Sequence, residues 1–446
     1  MASRLCQKAP ASQGGGWQVA GGRSQESGTR SQASGFFVLT AVLRRRAVAL
    51  CAGGCLLASI HTGCAPQQQK ITAPQDKPLA AFQTNLLTIA FDVATAIPVN
   101  PHIKDRSKAQ EEAVTICFEL DQPQRALEYA EQIGDWRRGA AYADYAFYCA
   151  QHGFTNGVQK YLDLADEISA VADQDWRKDR IKIKISKTHI LLGQTEQAGR
   201  FATGVDASSS GEVARVEAMM STEDSFDTQM KELDGLIATG SLDPVKNALY
   251  AGAELFNRFY DHPERRALME DKIKASWKPL PVFVRIELLM KLAEFALSHA
   301  DQSKALTLAN DAKGVMDGFA WPAEYHIPLA ARLAALRYRA GDQVAARSEL
   351  LSEQKRFAEK QAEIINIDKA DTLIPVAEAF LVTDAVTDAL QVYKQAVEAA
   401  VENPNNRPRA EDLTAICLSM AKHAAEPDEA LWARIREIQA NLGDPW

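Results

Sequence analysis

The stretch 331–346, Ala-Arg-Leu-Ala-Ala-Leu-Arg-Tyr-Arg-Ala-Gly-Asp-Gln-Val-Ala-Ala, reads as the end of one helix, a tight turn at Gly341-Asp342 and the start of a second helix. Small residues stand where two helices must approach closely. The glycine stands where the first helix must stop, because it enters the left-handed region without a steric penalty. The pattern recurs. Ala346 marks its phase, and small residues take the same place at Ala305, Ala389 and Ala430, in steps of 41, 43 and 41 residues. Each follows a helix with an apolar face, such as Leu288, Leu289, Leu292, Ala293 and Ala296. Ala267, Ala198, Val158 and Ala126 continue the series backwards with looser spacing, and one weakly marked unit fits at 208–240. A lone helical hairpin cannot bury its apolar face, whereas stacked hairpins share a continuous core. The expected fold is therefore all-α, an α–α superhelix of eight or nine hairpins. The units fall at 105–134, 135–172, 175–206, 208–240, 243–276, 282–317, 323–361, 368–402 and 408–441.

Leu333-Ala334, Gly341 and Ala346 supply the small-residue pair, turn glycine and following alanine of a tetratricopeptide repeat. Ile185-Ser186, Gly193 and Ala198 do so less closely, and Leu292-Ala293 with Ala305 do so with Ala300 in the glycine's place. Over 105–446 the chain resembles that family. It departs from it in period, since most units exceed the family's roughly 34 residues, and the motif's early tryptophan and closing proline are mostly missing. A HEAT-type or generic helical-hairpin solenoid fits the same period. The resemblance implies a preformed curved surface that binds other proteins.

Other local signals agree. Residues 79–99 read as an apolar, helix-leaning opening segment ended by Pro98. Pro281, Pro322, Pro404 and Pro408 fall near junctions between units, where proline stops a helix or opens the next. Asp342, Asp384 and Asp428 fall where turns or N-caps belong. One segment conflicts: Ile181-Lys182-Ile183-Lys184-Ile185 alternates as a strand would. Its surroundings are helical, and Ile181, Ile185 and Leu192 share a helical face, so helix is expected. Asp444-Pro445-Trp446 leaves a terminal aromatic to pack as a cap.

Charge and leader signals bound the setting. Net charge is −8. Residues 1–63 hold seven Lys/Arg and one acid, so the remaining 43 basic and 57 acidic residues leave the body at −14. Such a body argues against nucleic-acid binding, which draws its affinity from neutralising phosphates, and favours neutral or basic partners. Residues 1–37 have the composition of a disordered segment. Arg44-Arg45-Arg46, the apolar run 47–60 and Thr62-Gly63-Cys64 then give a positive region, an apolar region and a small-residue cleavage site. This resembles a bacterial lipoprotein signal, which implies cleavage before Cys64 and lipidation of that cysteine. His61 departs from the usual lipobox residue, and Ala65 favours outer-membrane sorting within that family. An ordinary cleaved signal, a membrane anchor or an organellar transit peptide are the alternatives, placing the chain in the periplasm or an organelle. The expected organisation is 1–37 upstream of an initiator at Val38, 38–63 signal peptide, 64–78 flexible tether, and 79–446 solenoid.

Candidate site residues follow from helical spacing. Tyr142, Tyr145 and Tyr148 recur on one helix and offer aromatic area with a polar tip to a partner peptide or sugar. The competing reading is packing between helices. Arg177, Arg180, Lys184 and Lys187 can share a face of the next unit, as a patch for an acidic partner or a solvated surface. Cys117, Cys149 and Cys417 lie on apolar faces and read as small buried hydrophobes, although Cys117 and Cys149 occupy similar places in neighbouring units and leave a disulfide open. His152, His262, His299 and His423 lie near turns without metal-ligand spacing. No phosphate loop, nucleophile elbow or paired-carboxylate constellation is present in the sequence, so neither catalysis nor a cofactor or metal is expected. The expected role is a lipid-anchored protein at the periplasmic face of the outer membrane, binding or scaffolding a partner protein or peptide. The alternative is a lipoprotein capturing a glycan or small ligand for a transporter or enzyme. Families that do so insert Trp- and Gly-rich loops, which this chain lacks.

Overall fold

The computed structural model describes residues 73–206 and 210–446. Residues 1–37, the expected signal peptide at 38–63, Cys64 and residues 64–72 of the expected tether lie outside the described residues. Among the described residues there are nineteen α-helices and no strand. α1 (Ala81–Ala96) precedes nine hairpins. These are α2 (Val99–Glu119) with α3 (Pro123–Glu131), α4 (Arg137–Gln151) with α5 (Val158–Val171), and α6 (Asp175–Leu191) with α7 (Thr195–Ala202). Next come α8 (Gly211–Met219) with α9 (Phe226–Ala238), α10 (Leu242–Arg258) with α11 (Pro263–Ser276), and α12 (Val282–Ser298) with α13 (Gln302–Asp317). The last are α14 (Ala323–Arg339) with α15 (Gln343–Lys360), α16 (Asn366–Val382) with α17 (Val386–Val401), and α18 (Asn406–Lys422) with α19 (Glu429–Ala440). The all-α stack of hairpins expected from the period is the fold, and the weakly marked fourth unit is a hairpin of short helices.

Most of the phase-marking residues do the packing assigned to them. Ala126, Val158, Ala198, Ala305, Ala346 and Ala389 are buried. Ala267 and Ala430 are exposed, and Met269 with Ile273, and Leu431 with Ile435, fill the corresponding faces. In α19 the cause is the cap: the Asp428 carboxylate accepts from the Leu431 N–H at 2.9 Å, so the helix starts late and Ala430 falls in its first turn. The alternating isoleucines resolve as helix. Ile181, Ile183 and Ile185 are all buried because a first helix is flanked by both neighbouring first helices as well as its own partner.

Seven hairpins turn in the same way. The N–H after the turn donates to the carbonyl five residues earlier: Gln122 to Cys117, Phe154 to Cys149, Gln194 to His189, Asp301 to Ala296, Asp342 to Arg337, Ala385 to Phe380 and Ala425 to Met420, all at 2.8–3.0 Å. Each turn needs one left-handed residue. Glycine supplies it at Gly153, Gly193 and Gly341, whereas Asp121, Ala300, Asp384 and Ala424 adopt it with a side chain.

In seven of the nine units the second helix packs back along its first, whereas α9 packs on α10 and α19 on α17, and the nine first helices run parallel. Their finishing ends meet in succession. The Tyr148 hydroxyl donates to Asp121 at 2.9 Å, Arg258 donates to the Ser221 carbonyl at 2.8 Å, and His299 meets Asn257 at 3.0 Å. Each first helix packs on the next, from α2 through to α18.

The stack then closes. α18 packs against α2, and α1 lies along α18 in the place where the second helix of that hairpin would lie. Leu86, Leu87, Ala90, Phe91, Val93, Ala94 and Ile97 share one core with Leu413, Ile416, Cys417 and Met420. Gln83 donates to the Ala421 carbonyl at 2.9 Å, Thr414 to the Ala90 carbonyl at 3.2 Å, and Lys422 pairs with Glu119 at 2.8 Å. Trp446 packs against the same core, and the Asn406 N–H donates to the Pro445 carbonyl at 2.8 Å. The concave side of the solenoid is thus the interior of a ring rather than an open groove. Among the described residues no helix is long and apolar enough to cross a membrane.

Candidate functional site: the polar interior of the ring

First helices bury apolar residues on three sides and turn their fourth side inward. That side carries charge, and the charges pair from helix to helix. Glu111 on α2 accepts from Arg180 on α6 at 2.8 Å and lies 3.3 Å from Arg137 on α4. Both guanidiniums also lie over the Trp136 ring, at 5.2 and 4.8 Å from its centre. Asp144 on α4 takes Lys184 of α6 at 2.7 and 2.8 Å. Lys187 lies 3.8 Å from Asp144 and 3.0 Å from Glu212 on α8. Arg215 covers the Tyr250 ring on α10 at 4.5 Å. Lys291 on α12 meets Glu254 on α10 at 3.0 Å, and Glu287 on α12 meets Arg332 on α14 at 3.5 Å. Ser419 of α18 donates to Glu378 of α16 at 2.7 Å, with His423 at 3.5 Å. All nine first helices contribute.

The electrostatics show how confined this belt is. Burial works to raise the Glu212 carboxyl, but Lys187, Lys184 and Arg215 outweigh it and hold the group far below the usual carboxylate range. Burial raises the Glu294 carboxyl despite Arg332, Arg339, Lys291 and Lys422 around it. Lys422 belongs to α18, two first helices beyond α14, so charges act across the interior. Where α16, α18 and α2 meet, acids act on one another. Burial first, then Asp371, Glu111 and Glu411, push Glu112 up to about 7 against the pull of Lys108. Burial, Asp371, Glu411 and Asp368 push Asp412 up to about 8 against its bond from Asn403. The Glu112 side chain is 35% exposed. Solvent that reaches it does so inside a concave wall.

The residues singled out from the sequence divide. Arg180, Lys184 and Lys187 line the belt. Arg177 does not: it pairs with Asp173 at 2.7 Å and lies over Trp176. Tyr145 and Tyr148 are buried. Tyr145 meets Tyr161 edge-on, and Tyr148 stacks on His152 at 4.0 Å between centres. Tyr142 is half-buried against Tyr161. Sequence reading missed the acidic partners Glu111, Asp144 and Glu212, which come from neighbouring helices with no local signal.

Cys117, Cys149 and Cys417 are free buried thiols, so the disulfide left open between Cys117 and Cys149 is not formed. Burial pushes the Cys149 and Cys417 thiols up to about 11 and about 12, leaving negligible thiolate at neutral pH. His152, His299 and His423 cap the finishing ends of α4, α12 and α18. Among the described residues no three His, Cys, Asp or Glu side chains are arranged to hold a metal ion. A cleft of about 580 Å³ lies outside, between α15 and α17. Two of its lysines, Lys369 and Lys394, pair with Glu402 and Asp428. No protein-family model matches the chain, and neither the curated proteins nor the solved structures contain a match.

Proposed function

We propose that this chain is a non-catalytic, lipid-anchored envelope protein that binds or scaffolds partner proteins. Its place is the periplasmic face of a bacterial outer membrane, and its anchor is an acylated Cys64. The observation that carries the reading is the interior belt. Charges from nine parallel helices converge on an enclosed wall, and most are fixed by one another before any partner arrives. Such a surface is preorganised for recognition and loses little freedom on binding. The tetratricopeptide resemblance of 105–446 supports the same class of task. The last residues of the expected tether are held against the body. Lys77 pairs with Asp121, the Lys77 N–H donates to the Asp121 carbonyl at 2.9 Å, and the Gln124 N–H donates to Asp76 at 2.7 Å. The chain is thereby fixed at Asp76 and Lys77, beside the finishing end of α2. An anchor raises the local concentration of body and partner at the membrane.

Intact-mass analysis of the protein from its host, with and without Cys64→Ser, tests the anchor. The expected result is a lipidated chain beginning at Cys64 that fractionates with the outer membrane, and a soluble variant. A non-lipidated chain retaining residues before 64 would remove the envelope reading.

A further inference from the structure

The cations of the interior belt are paired, Arg215 excepted. Arg180, Lys184, Lys187, Lys291, Arg332 and Lys422 each have a carboxylate at 3.5 Å or closer. Arg215 on α8 has no ion pair among the described residues. Its guanidinium lies over the Tyr250 ring at 4.5 Å, its Nε is enclosed without a hydrogen-bond partner, and the residue is 8% exposed. The ring beneath fixes the plane of the guanidinium, and the Tyr250 hydroxyl is itself committed to Glu287. Among the described residues no hydrogen bond engages the Nη1 and Nη2 edge.

The neighbours of Arg215 leave its charge over. Lys184 pairs with Asp144, and Lys187 lies between Asp144 and Glu212. With Arg215 that makes three positive charges against two negative. Glu212 is held ionised by Lys187, Lys184 and Arg215, so it is already counted. The next pairs along the wall, Glu254 with Lys291 and Glu287 with Arg332, balance. Lys187 and Arg215 also repel one another. A charge taken out of water is costly unless it is paired, and this one is poised where a ligand can pair it. Glu212, Glu287 and Arg332 nearby are 23%, 31% and 39% exposed, so solvent enters the ring beside Arg215.

We infer that Arg215 binds a small organic acid inside the ring, the unengaged edge of its guanidinium taking the carboxylate. This goes beyond the partner-binding reading and does not depend on it. Three features choose the occupant. A guanidinium edge offers two parallel N–H groups that match the two coplanar oxygens of a carboxylate. The surplus is a single positive charge, so a monoanion balances the wall, whereas a dianion would set a second negative charge against Glu212. The opening left to Arg215 is small, which suits a free acid better than a carboxylate carried on a folded protein. The body, at −14 over residues 64–446, repels polyanions as a class.

Arginine-selective nitrogen-15 labelling of the full-length chain tests this, because the enclosed Nε–H of Arg215 gives its own signal. Arg215→Lys identifies that signal by its loss. The purified protein is titrated with sodium acetate, and separately with sodium chloride and sodium sulfate at matched ionic strength. The expected result is a saturable shift of the Arg215 signal in acetate, at about tenfold lower concentration than in chloride or sulfate, as a two-point charged hydrogen bond predicts. Acetate should also raise the thermal midpoint of the parent protein by mass action. Arg215→Gln should abolish that rise, and Arg434→Gln, on the outer side of α19, should keep it. Melts without acetate show that each variant is folded. The inference is overturned by an Arg215 signal that does not move, by equal responses to the three salts, which is screening alone, or by an acetate-dependent rise that persists in Arg215→Gln. None of these measurements uses a partner protein, so either outcome leaves the partner-binding reading to its own test.

Discussion

At the scale of single residues, the turns teach most. Gly341 made its hairpin readable, because glycine at a helix end has an evident conformational reason. Ala300 and Ala424 gave no such signal, yet they adopt φ of 60° and 51° and close the same turn. A left-handed alanine is strained by its Cβ against the following carbonyl. Ala300→Gly and Ala424→Gly should therefore each stabilise the protein by about 0.5–1 kcal/mol, read as a rise in thermal midpoint, with the unfolded-state entropy of glycine offsetting part of the gain. Gly341→Ala should do the reverse. Asp412 gives a prediction of different kind. Its carboxyl, near 3.8 in an unfolded chain, is pushed up to about 8 by burial, Asp371, Glu411 and Asp368. The native state thus keeps a proton that the unfolded state releases. Its contribution is most favourable below pH 3.8 and is lost as pH rises to about 8. Asp412→Asn should be more stable than the parent at pH 8, with the difference shrinking toward pH 4, in denaturant titrations across that range. Glu112 acts in the same direction, so part of the slope should remain.

At the scale of elements, the 41-residue spacing carried the hairpins because it records a physical need: each unit hides its face on the next. Proline and aspartate then placed the ends of helices closely, as at Pro281 before α12 and Asp428 before α19, whose carboxylate accepts from the Leu431 N–H at 2.9 Å. The belt was legible only by half. Arg180, Lys184 and Lys187 share a stripe at helical spacing within one segment. Their partners Glu111, Asp144 and Glu212 lie 69, 40 and 25 residues away, and only the ring's geometry brings them to the same wall. The tyrosines show the converse ambiguity. A spacing of three puts residues on one face without saying whether that face meets solvent or a neighbouring helix, and for Tyr145 and Tyr148 it meets neighbouring helices.

At the scale of the whole molecule, closure is what the sequence did not announce. Nothing within 81–96 says which helix it joins, because its partner lies more than 300 residues later. The pairing makes a specific demand. Phe91 stacks on Tyr129 at 3.8 Å between ring centres and is 3% exposed in the shared core. Phe91→Ala should cost about 3–5 kcal/mol, and amide exchange should rise first in α1, α2 and α18 while α8 to α11 stay protected. Unchanged exchange in α18 would mean that the ends do not meet in solution. An open array of n units has n − 1 interfaces and two ends that fray, whereas a ring has n interfaces and no such end. Closure also sets an order in time. α1 cannot cover its apolar face until α18 has emerged, more than 300 residues later, so any chain arrested short of α18 carries an uncovered α1. Synthesis through α18 is thereby written into solubility: chains that reach it close, and shorter ones remain exposed to aggregation and to proteases.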